Sequence, residues 1–166
     1  MPPCPAAVST VDISPECPAS PRARDNAGIH IDVVSSLAAA MPDWQRLADD
    51  DAVTTPFAQA AWIDAWQRHV GEPTGVKPAI VIGRDESGVP VFVLPLCVRR
   101  QHGVQVAEFF GDSHSSINFG LWRRDAIDGC TGEHIRAVLM RAAAIAAIDL
   151  FILRYLPKTW NGHDNP

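Results

Sequence analysis

Three β-type runs follow one another in the middle of the sequence, and they constrain the fold more than any other feature. The runs cover residues 79–82, 89–98 and 104–110. Polar turns at residues 85–88 and 101–103 separate them, which predicts an antiparallel meander. Pro90 and Pro95 interrupt the second run. Because proline has no backbone N–H, that strand is expected at an edge or at a bulge.

The segment before the meander begins with an alternation typical of a strand with one buried face, formed by Ile29, Ile31 and Val33. A short helix is expected to begin at Pro42, since proline suits a first helical position. Its inner face would carry Trp44, Leu47 and Ala48.

A second helix is predicted immediately upstream of the meander. Thr55 is a suitable N-cap, Pro56 a suitable first residue and Gly71 a suitable C-cap. Trp62 and Trp66 recur four residues apart, so they share one face of this helix. An aromatic platform for a ligand and packing in the core are both compatible with this spacing, which favours the core.

The segment after the meander predicts a strand at 117–122, a loop containing Asp125 and Asp128, a helix capped by Thr131, and a strand at 150–156. The helix between the last two strands implies a crossover that joins parallel neighbours. The order β-α-α-β-β-β-β-α-β therefore predicts a mixed α/β (α+β) fold, with one mixed sheet flanked by helices.

Length and composition predict a single domain with two flanking segments. The 166 residues fall within the usual range for one domain. Residues 1–27 contain six prolines and few large apolar side chains, which predicts a disordered leader. The domain is expected to cover residues 28–157, and residues 158–166 to form a tail without an element of its own.

Charge, hydropathy and cysteine usage argue against several functional classes. The net charge of −5 argues against a nucleic-acid partner. No apolar run approaches the roughly 20 residues that span a bilayer, and no secretory signal opens the chain, so we expect a cytoplasmic protein without a membrane span. The four cysteines include no C-x-x-C pair and no histidine at ligand spacing, so no metal site is expected.

The densest polar stretch covers residues 112–116, with the sequence DSHSS. His114 could act as a general base or as a hydrogen-bond donor, because imidazole titrates near neutral pH. The neighbouring serines could contact a substrate. The alternative is a turn that only joins two strands, and the composition favours this alternative.

Two further places could contact an anion. Arg99 and Arg100 lie at a strand end, where a solvated position is favoured over an anion contact. Residues 129–132 open a helix whose backbone N–H groups could receive a phosphate. Asp125, Asp128 and Glu133 surround that helix start, and their charge would oppose a diphosphate.

Residues 55–66, with the sequence TPFAQAAWIDAW, resemble the T-P-F-Q-x-x-x-W-x-x-x-W helix of GNAT-type acyltransferases of the FemAB and CelD-like group. Residues 78–84 and 93–96 resemble the second and third strands of that group, and residues 110–118 resemble the polar turn that follows. The tail from Trp160 also resembles the point where the family's chain enters a second half. The resemblance covers residues 29–166.

The resemblance implies a GNAT-like fold and transfer of an acyl group from acetyl-CoA to an amine of a small molecule or a saccharide precursor. His114 would be catalytic. The substrate-binding residues would be Trp62, Trp66, Asp112, Ser113, Ser116 and Asn118. The superfamily's [Arg/Gln]-x-x-Gly-x-[Gly/Ala] loop is not recognisable at residues 124–132, so no cofactor-binding residue is assigned.

The lack of that loop leaves two hypotheses. The chain is either the substrate-side, N-terminal half of an N-acyltransferase, or a non-catalytic GNAT-like binding or assembly module. In the first case the donor site lies on a missing C-terminal half or on a partner chain. An incomplete tandem fold would also leave an apolar face exposed at the last strand or near Trp160.

Overall fold

The computed structural model of the chain describes residues 28–166, and the predicted leader, residues 1–27, lies outside the described residues. The α-helices are α1 (Leu37–Asp49), α2 (Ala60–Trp66), α3 (Arg124–Ile127) and α4 (Gly132–Ala146). The strands are β1 (His30–Val34), β2 (Val53–Thr54), β3 (Lys77–Pro78), β4 (Ile80–Arg84), β5 (Pro90–Leu94), β6 (Leu96–Gln101), β7 (Val104–Phe109), β8 (Leu121–Trp122), β9 (Leu150–Phe151), β10 (Thr159–Trp160) and β11 (His163–Asp164).

The described strands form two sheets, with the orders β1-β4-β5-β8-β2 and β3-β6-β7-β9, and the hairpin β10-β11. The predicted mixed α+β class is confirmed. The expectation of one continuous sheet is wrong, because Pro95 separates β5 from β6 and Ala79 separates β3 from β4. The Ala79 N–H still donates to the Leu96 carbonyl at 2.9 Å. One long hairpin therefore runs through both sheets and changes sheet where Pro95 cannot donate.

Strand β4 separates the two main cores. Ile80 and Ile82 pack with α1 and α2, whereas Val81 packs with Ile31 and with Val138 of α4. The alternation follows from the two-residue period of a strand. The predicted buried face of the first strand is confirmed, since Ile31 is buried and its neighbours Ile29 and Val33 pack against the same cluster.

The last strand has a parallel neighbour, as predicted, but the neighbour is β7. Val106 lies opposite Leu150, and Ala107 opposite Phe151. Strand β8 instead joins the other sheet, between β5 and β2. The strands predicted at 117–122 and 150–156 are both shorter than expected, because residues 117–120 and 152–156 belong to neither sheet. These two segments contact each other at the site described below.

Helix α1 begins earlier than predicted. The Ser36 hydroxyl accepts a hydrogen bond from the Ala39 N–H at 3.2 Å and caps the helix, so Pro42 lies inside it. Trp44 and Leu47 are buried as expected, whereas Ala48 is exposed. The start predicted at Pro42 is wrong, because the Ser36 side-chain cap sets the first turn of the helix.

The predicted second helix is broken into shorter pieces. Thr55 precedes only a 3-10 turn, Pro56–Ala58, and α2 begins at Ala60. Gly71 does not end the segment, because a π-helical turn, Gln67–Gly71, passes into a further 3-10 turn. The left-handed residue that ends it is Gly75, with φ of +76°. The prediction of a C-cap at Gly71 is wrong, because residues 72–74 continue the helical hydrogen bonding.

Helix α4 is capped by Thr131 as predicted, and the predicted loop before it contains the short helix α3. The tail forms a hairpin that the composition did not predict. Asn161 and Gly162 have φ of +50° and +85°, the left-handed values of a two-residue hairpin turn. Trp160 donates its indole N–H to the Thr54 carbonyl at 2.9 Å. No helix within residues 28–166 has the length and apolar character that a membrane crossing requires.

Candidate functional site

The polar stretch singled out in the sequence lies at the carboxyl ends of the parallel strands β7 and β9. After Phe109 the chain enters a 3-10 turn, Asp112–His114. After Phe151 one more ladder bond joins the Ile152 N–H to the Ala107 carbonyl at 2.9 Å, and the strands then part. Ligands of open α/β sheets commonly bind outside the carboxyl ends of parallel strands.

Asn118 fills the space where the two strands part. Its backbone N–H donates to the Tyr155 carbonyl at 2.9 Å, and its side-chain amide donates to the Arg154 carbonyl at 3.0 Å. Asn118 is buried. The predicted substrate-binding residue therefore ties the loop to the segment that follows β9, and these bonds replace further sheet pairing.

The turn carries two successive residues in the left-handed region. Gly111 has φ of +109° and Asp112 has φ of +45°. A Cβ at Gly111 would lie 2.6 Å from Trp62 Cη2 and 2.8 Å from Ser115 Cβ, so only glycine fits. A non-glycine residue with positive φ is uncommon and costs free energy, and such residues concentrate at functional sites.

Trp62 and Trp66 both reach this loop from α2. The Trp66 indole N–H donates to Nδ1 of His114 at 3.3 Å. Trp66 is buried and makes an edge contact with Phe110, whereas Trp62 is half-buried and makes an edge contact with Phe57. The structure thus brings together one tryptophan that packs mainly in the core and one that borders the loop.

The Trp66 contact fixes the tautomer of His114. Indole is only a donor, so Nδ1 of His114 must accept, and the proton of a neutral ring sits on Nε2. His114 is exposed. In this tautomer the ring offers solvent an N–H donor. Nδ1 also lies 3.3 Å from the Gly111 carbonyl, which a protonated Nδ1 could use instead.

Asp112 is the predicted residue with the most charged surroundings. Its carboxylate lies 3.4 Å from Nη2 of Arg99 and 4.0 Å from Nη1 of Arg154. Nε of Arg99 lies 3.2 Å from Oε1 of Glu108, whose side chain is buried. The loop therefore meets two guanidinium groups and one fixed buried carboxylate.

Sequence reasoning assigned Arg99 to a solvated strand end, and this assignment is wrong. Cys97, Arg99 and Glu108 share one face of the β6-β7 ladder, because Cys97 pairs with Glu108 and side chains alternate. Glu108 was not identified as a site residue from the sequence. A carboxylate within the apolar run of β7 was the signal that could have indicated a buried, paired charge. Arg154 carried no local signal, because its relation to Asp112 is set by tertiary structure.

The remaining predicted residues take different positions. Ser113 and Ser116 are exposed, where a ligand could reach them. Ser115, one of the serines of this stretch but not among the assigned substrate-binding residues, is buried and donates its hydroxyl to the Asp112 carbonyl at 3.3 Å. Burial raises the pKa of the nearby Cys97 thiol to about 12, although Arg99 opposes this rise. Cys97 therefore stays a thiol at neutral pH and is a poor nucleophile.

The start of α4 does not fit the diphosphate of coenzyme A. The Thr131 hydroxyl accepts from the His134 N–H at 3.4 Å, and His134 Nδ1 accepts from the Thr131 N–H at 3.2 Å. These bonds take up donors that an anion would need, and Glu133 adds a negative charge in the first turn. Residues 28–166 contain no group of three or more His, Cys, Asp or Glu side chains arranged for a metal ion.

Comparison with known proteins adds little to this geometry. No protein-family model matches the chain. No curated protein matches it either. Among solved structures, an acetyltransferase of Trypanosoma brucei is similar over 75% of this chain and 81% of its own, with 14% sequence identity and a TM-score of 0.39. A similarity of this size supports no assignment of activity.

Proposed function

We propose that this chain is the acceptor side of an N-acyltransferase, and that its loop 111–118 binds the amine that receives the acyl group. The observation that carries the proposal is the position of this loop. It lies at the carboxyl ends of the parallel strands β7 and β9, and the segment 55–66 with the family-like sequence reaches it through Trp62 and Trp66 of α2. The acceptor is a small amine or a saccharide precursor.

His114 acts as a hydrogen-bond donor in this proposal. Acyl transfer to an amine forms a C–N bond, breaks the bond to the leaving group and moves one proton from the amine to that group. The contact with Trp66 occupies Nδ1, so the free position of a neutral His114 is Nε2–H. This group can stabilise negative charge on the acyl oxygen as the amine attacks.

The activated acyl group comes from a thioester such as acetyl-CoA, held by a missing C-terminal half or a partner chain. Two observations support this division of the site. The start of α4 is bonded to itself and acidic, as described above. Strand β9 lies at a sheet edge, and Leu150 and Leu156 near it are 48% and 43% exposed, which suits a covering partner.

The same bonds at the start of α4 also favour a second candidate function. A chain whose α4 start cannot hold the donor would serve as a non-catalytic GNAT-like binding or assembly module. In that case loop 111–118 would bind a ligand without reaction. Fold alone does not decide between these functions.

Two titrations of the full chain test the proposal. Calorimetry with acetyl-CoA is expected to show no binding tighter than about 1 mM, because a self-capped, acidic helix start binds a diphosphate poorly. NMR with glucosamine as the amine probe is expected to shift the signals of Trp62, Trp66 and His114. Trp160, which donates to Thr54 outside the loop, is the internal control.

The outcomes separate the hypotheses. Tight binding of acetyl-CoA would place the donor on this chain and contradict the division of the site. Shifts at Trp160 without shifts at Trp66 and His114 would contradict the acceptor site. If the loop binds glucosamine and the chain remains inactive when its completing half supplies acetyl-CoA, the binding-module function is favoured.

A further inference from the structure

The geometry points to an anion-binding site in which Arg99 and Arg154 hold a carboxylate or phosphate group of a ligand, while Asp112 occupies that place in the free protein. This inference rests on the proposed function in one respect, the identity of the ligand. If the proposed function holds, the ligand is the acceptor, and it carries an anionic group beside its amine. The binding of an anion is a separate property that can be measured without acyl transfer.

The contacts of Asp112 are long for charged partners. Charge-assisted N–H···O bonds are typically about 2.7–2.9 Å, whereas Asp112 lies 3.4 Å from Arg99 and 4.0 Å from Arg154. Elsewhere in the chain Arg123 approaches Asp125 to 2.6 Å. The two arginines therefore hold Asp112 loosely, and a better-fitting anion can compete with it.

The guanidinium groups have unused donor capacity. Each arginine has five N–H donors in a planar fork that fits a carboxylate or a phosphate. Arg99 donates to Asp112 through Nη2 in a long bond of 3.4 Å, while its Nε lies 3.2 Å from Glu108. The side chain of Arg154 is 56% exposed. Arg154 can therefore bind an anion from solvent, and Arg99 can exchange its long bond to Asp112 for a shorter bond to that anion.

The net charge of the site favours anion binding once the Asp112 carboxylate moves away. Glu108 is buried beside Arg99, so it stays in place. Two guanidinium groups then face one fixed carboxylate, and the site carries one net positive charge. With Asp112 in place the four charges cancel, so the aspartate acts as an internal competitor for the ligand anion.

The backbone at Asp112 has an uncommon conformation, and the space beside its carboxylate is small. Its φ of +45° is a conformation that an aspartate adopts at a cost, and the preceding Gly111 is also left-handed. A cavity of about 10 Å³ beside Asp112, Asn118 and Arg154 has room for about one water molecule. A phosphate therefore fits only where the Asp112 carboxylate now lies, so binding and release of Asp112 are coupled.

NMR titrations of the full chain at constant ionic strength, with inorganic phosphate in one series and succinate in another, test this inference. The wild type is expected to bind at least one of them at the loop. D112N should tighten that binding about tenfold, since it removes the competing charge, a change of about 1.4 kcal/mol. R154A should weaken it about tenfold or more. R100A is the matched control, because Arg100 is exposed and points from β6 to the opposite face.

The two series distinguish the sources of the anion. Tighter binding of phosphate indicates a phosphorylated acceptor, and tighter binding of succinate indicates an acceptor with a carboxylate. Thermal unfolding of each variant shows that it is folded before it is titrated. Equal affinities in the wild type, D112N and R154A, or no binding of either anion to D112N, would overturn the site. Anion binding without any amine binding would instead leave this site intact and contradict the proposed function.

Discussion

Gly111 combines a φ of +109° with a backbone in close contact with Trp62 and Ser115. Both conditions exclude a side chain, and together they shape the turn that presents Asp112 and His114. Asp112 and His114 are neighbours in sequence, but their partners are distant. Arg154 forms an ion pair with Asp112, and Trp66 donates a hydrogen bond to His114. At the residue scale the site is a local turn supplied with long-range partners.

Replacing Gly111 with alanine is expected to lower the free energy of unfolding by about 2–4 kcal/mol, from left-handed strain and overpacking together. Urea denaturation measures this loss. The control is Gly103→Ala, because Gly103 has φ of +87° and nothing within 4 Å of an added Cβ. Its loss should be about 1–2 kcal/mol, from strain alone. Equal losses in the two variants would show that the contacts with Trp62 and Ser115 do not matter.

Trp66→Phe is expected to change the tautomer of His114. Without the indole donor, Nδ1 is free to carry the proton and donate to the Gly111 carbonyl, which lies 3.3 Å away. The ¹⁵N chemical shifts of the two ring nitrogens measure the tautomer populations. Trp62→Phe is the control, since Trp62 borders the same loop without this bond. Identical nitrogen shifts in all three proteins would rule out Trp66 as the residue that orients His114.

The β4-β5 hairpin shows how one carboxylate organises an element. Asp85 accepts hydrogen bonds from the Ser87 hydroxyl at 2.6 Å and the Val89 N–H at 3.0 Å, and Gly88 supplies a left-handed φ of +79°. The turn predicted at residues 85–88 is thus confirmed. Arg123 reaches the same carboxylate at 2.9 Å and connects the hairpin to the start of α3.

Asp85→Asn is expected to reduce stability at neutral pH and to reduce its sensitivity to acid. The hydrogen bond from Ser87, and then that from Arg123, hold the pKa of Asp85 well below its usual range. A lowered pKa stabilises the fold above the unfolded value of about 4, and this contribution is lost as the pH falls below that value. Thermal unfolding between pH 7 and pH 2 should show the wild type and the variant converging at low pH.

The control for this prediction is Asp125→Asn. Asp125 also contacts Arg123, at 2.6 Å, but its side chain is 71% exposed and contributes nothing to the turn. We expect its stability to follow that of the wild type across the pH range, since exposed ion pairs contribute little. A gap between Asp85→Asn and the wild type that stays constant down to pH 2 would contradict the role of the Asp85 charge.

At the scale of the whole molecule, the two main cores share β4, and the tail hairpin packs back onto the domain. Trp160 donates to Thr54, and His163 lies 2.7 Å from Asp128 beside α3. Because Arg124 can only donate to Nε2 of His163, the proton of a neutral His163 lies on Nδ1 and faces Asp128. The last residues thus connect β2 with the segment before α4.

Alkylation of Cys97 is expected to report unfolding of the whole domain. Burial raises the thiol pKa to about 12, so Cys97 should resist iodoacetamide at pH 8 and react once urea unfolds the chain. Peptide mass spectrometry measures the modification. Cys130 is an internal comparison, because it is half-buried, its pKa is raised by burial to about 11, and local motion can expose it sooner. Modification of Cys97 at equal rates with and without urea would contradict this packing.

The sequence by itself determined the local features of this protein. The alternation in β1, the turn at residues 85–88, the Thr131 cap and the polar loop at 112–116 each depend on a few neighbouring residues. Local backbone preferences and hydrogen bonds decide such features, so their residue types are visible in a short window. The broken helix after Thr55 marks the limit, because Thr55 makes no side-chain cap bond and α2 begins only at Ala60.

Only the tertiary structure decided how these features meet. It divided the strands between two sheets at Pro95, placed β9 beside β7, and brought Arg99 and Arg154 to the two sides of Asp112. It also set the tautomer of His114 through a residue 48 positions away. These outcomes depend on which buried surfaces and charges pack together across long stretches of chain, and no local pattern encodes that choice.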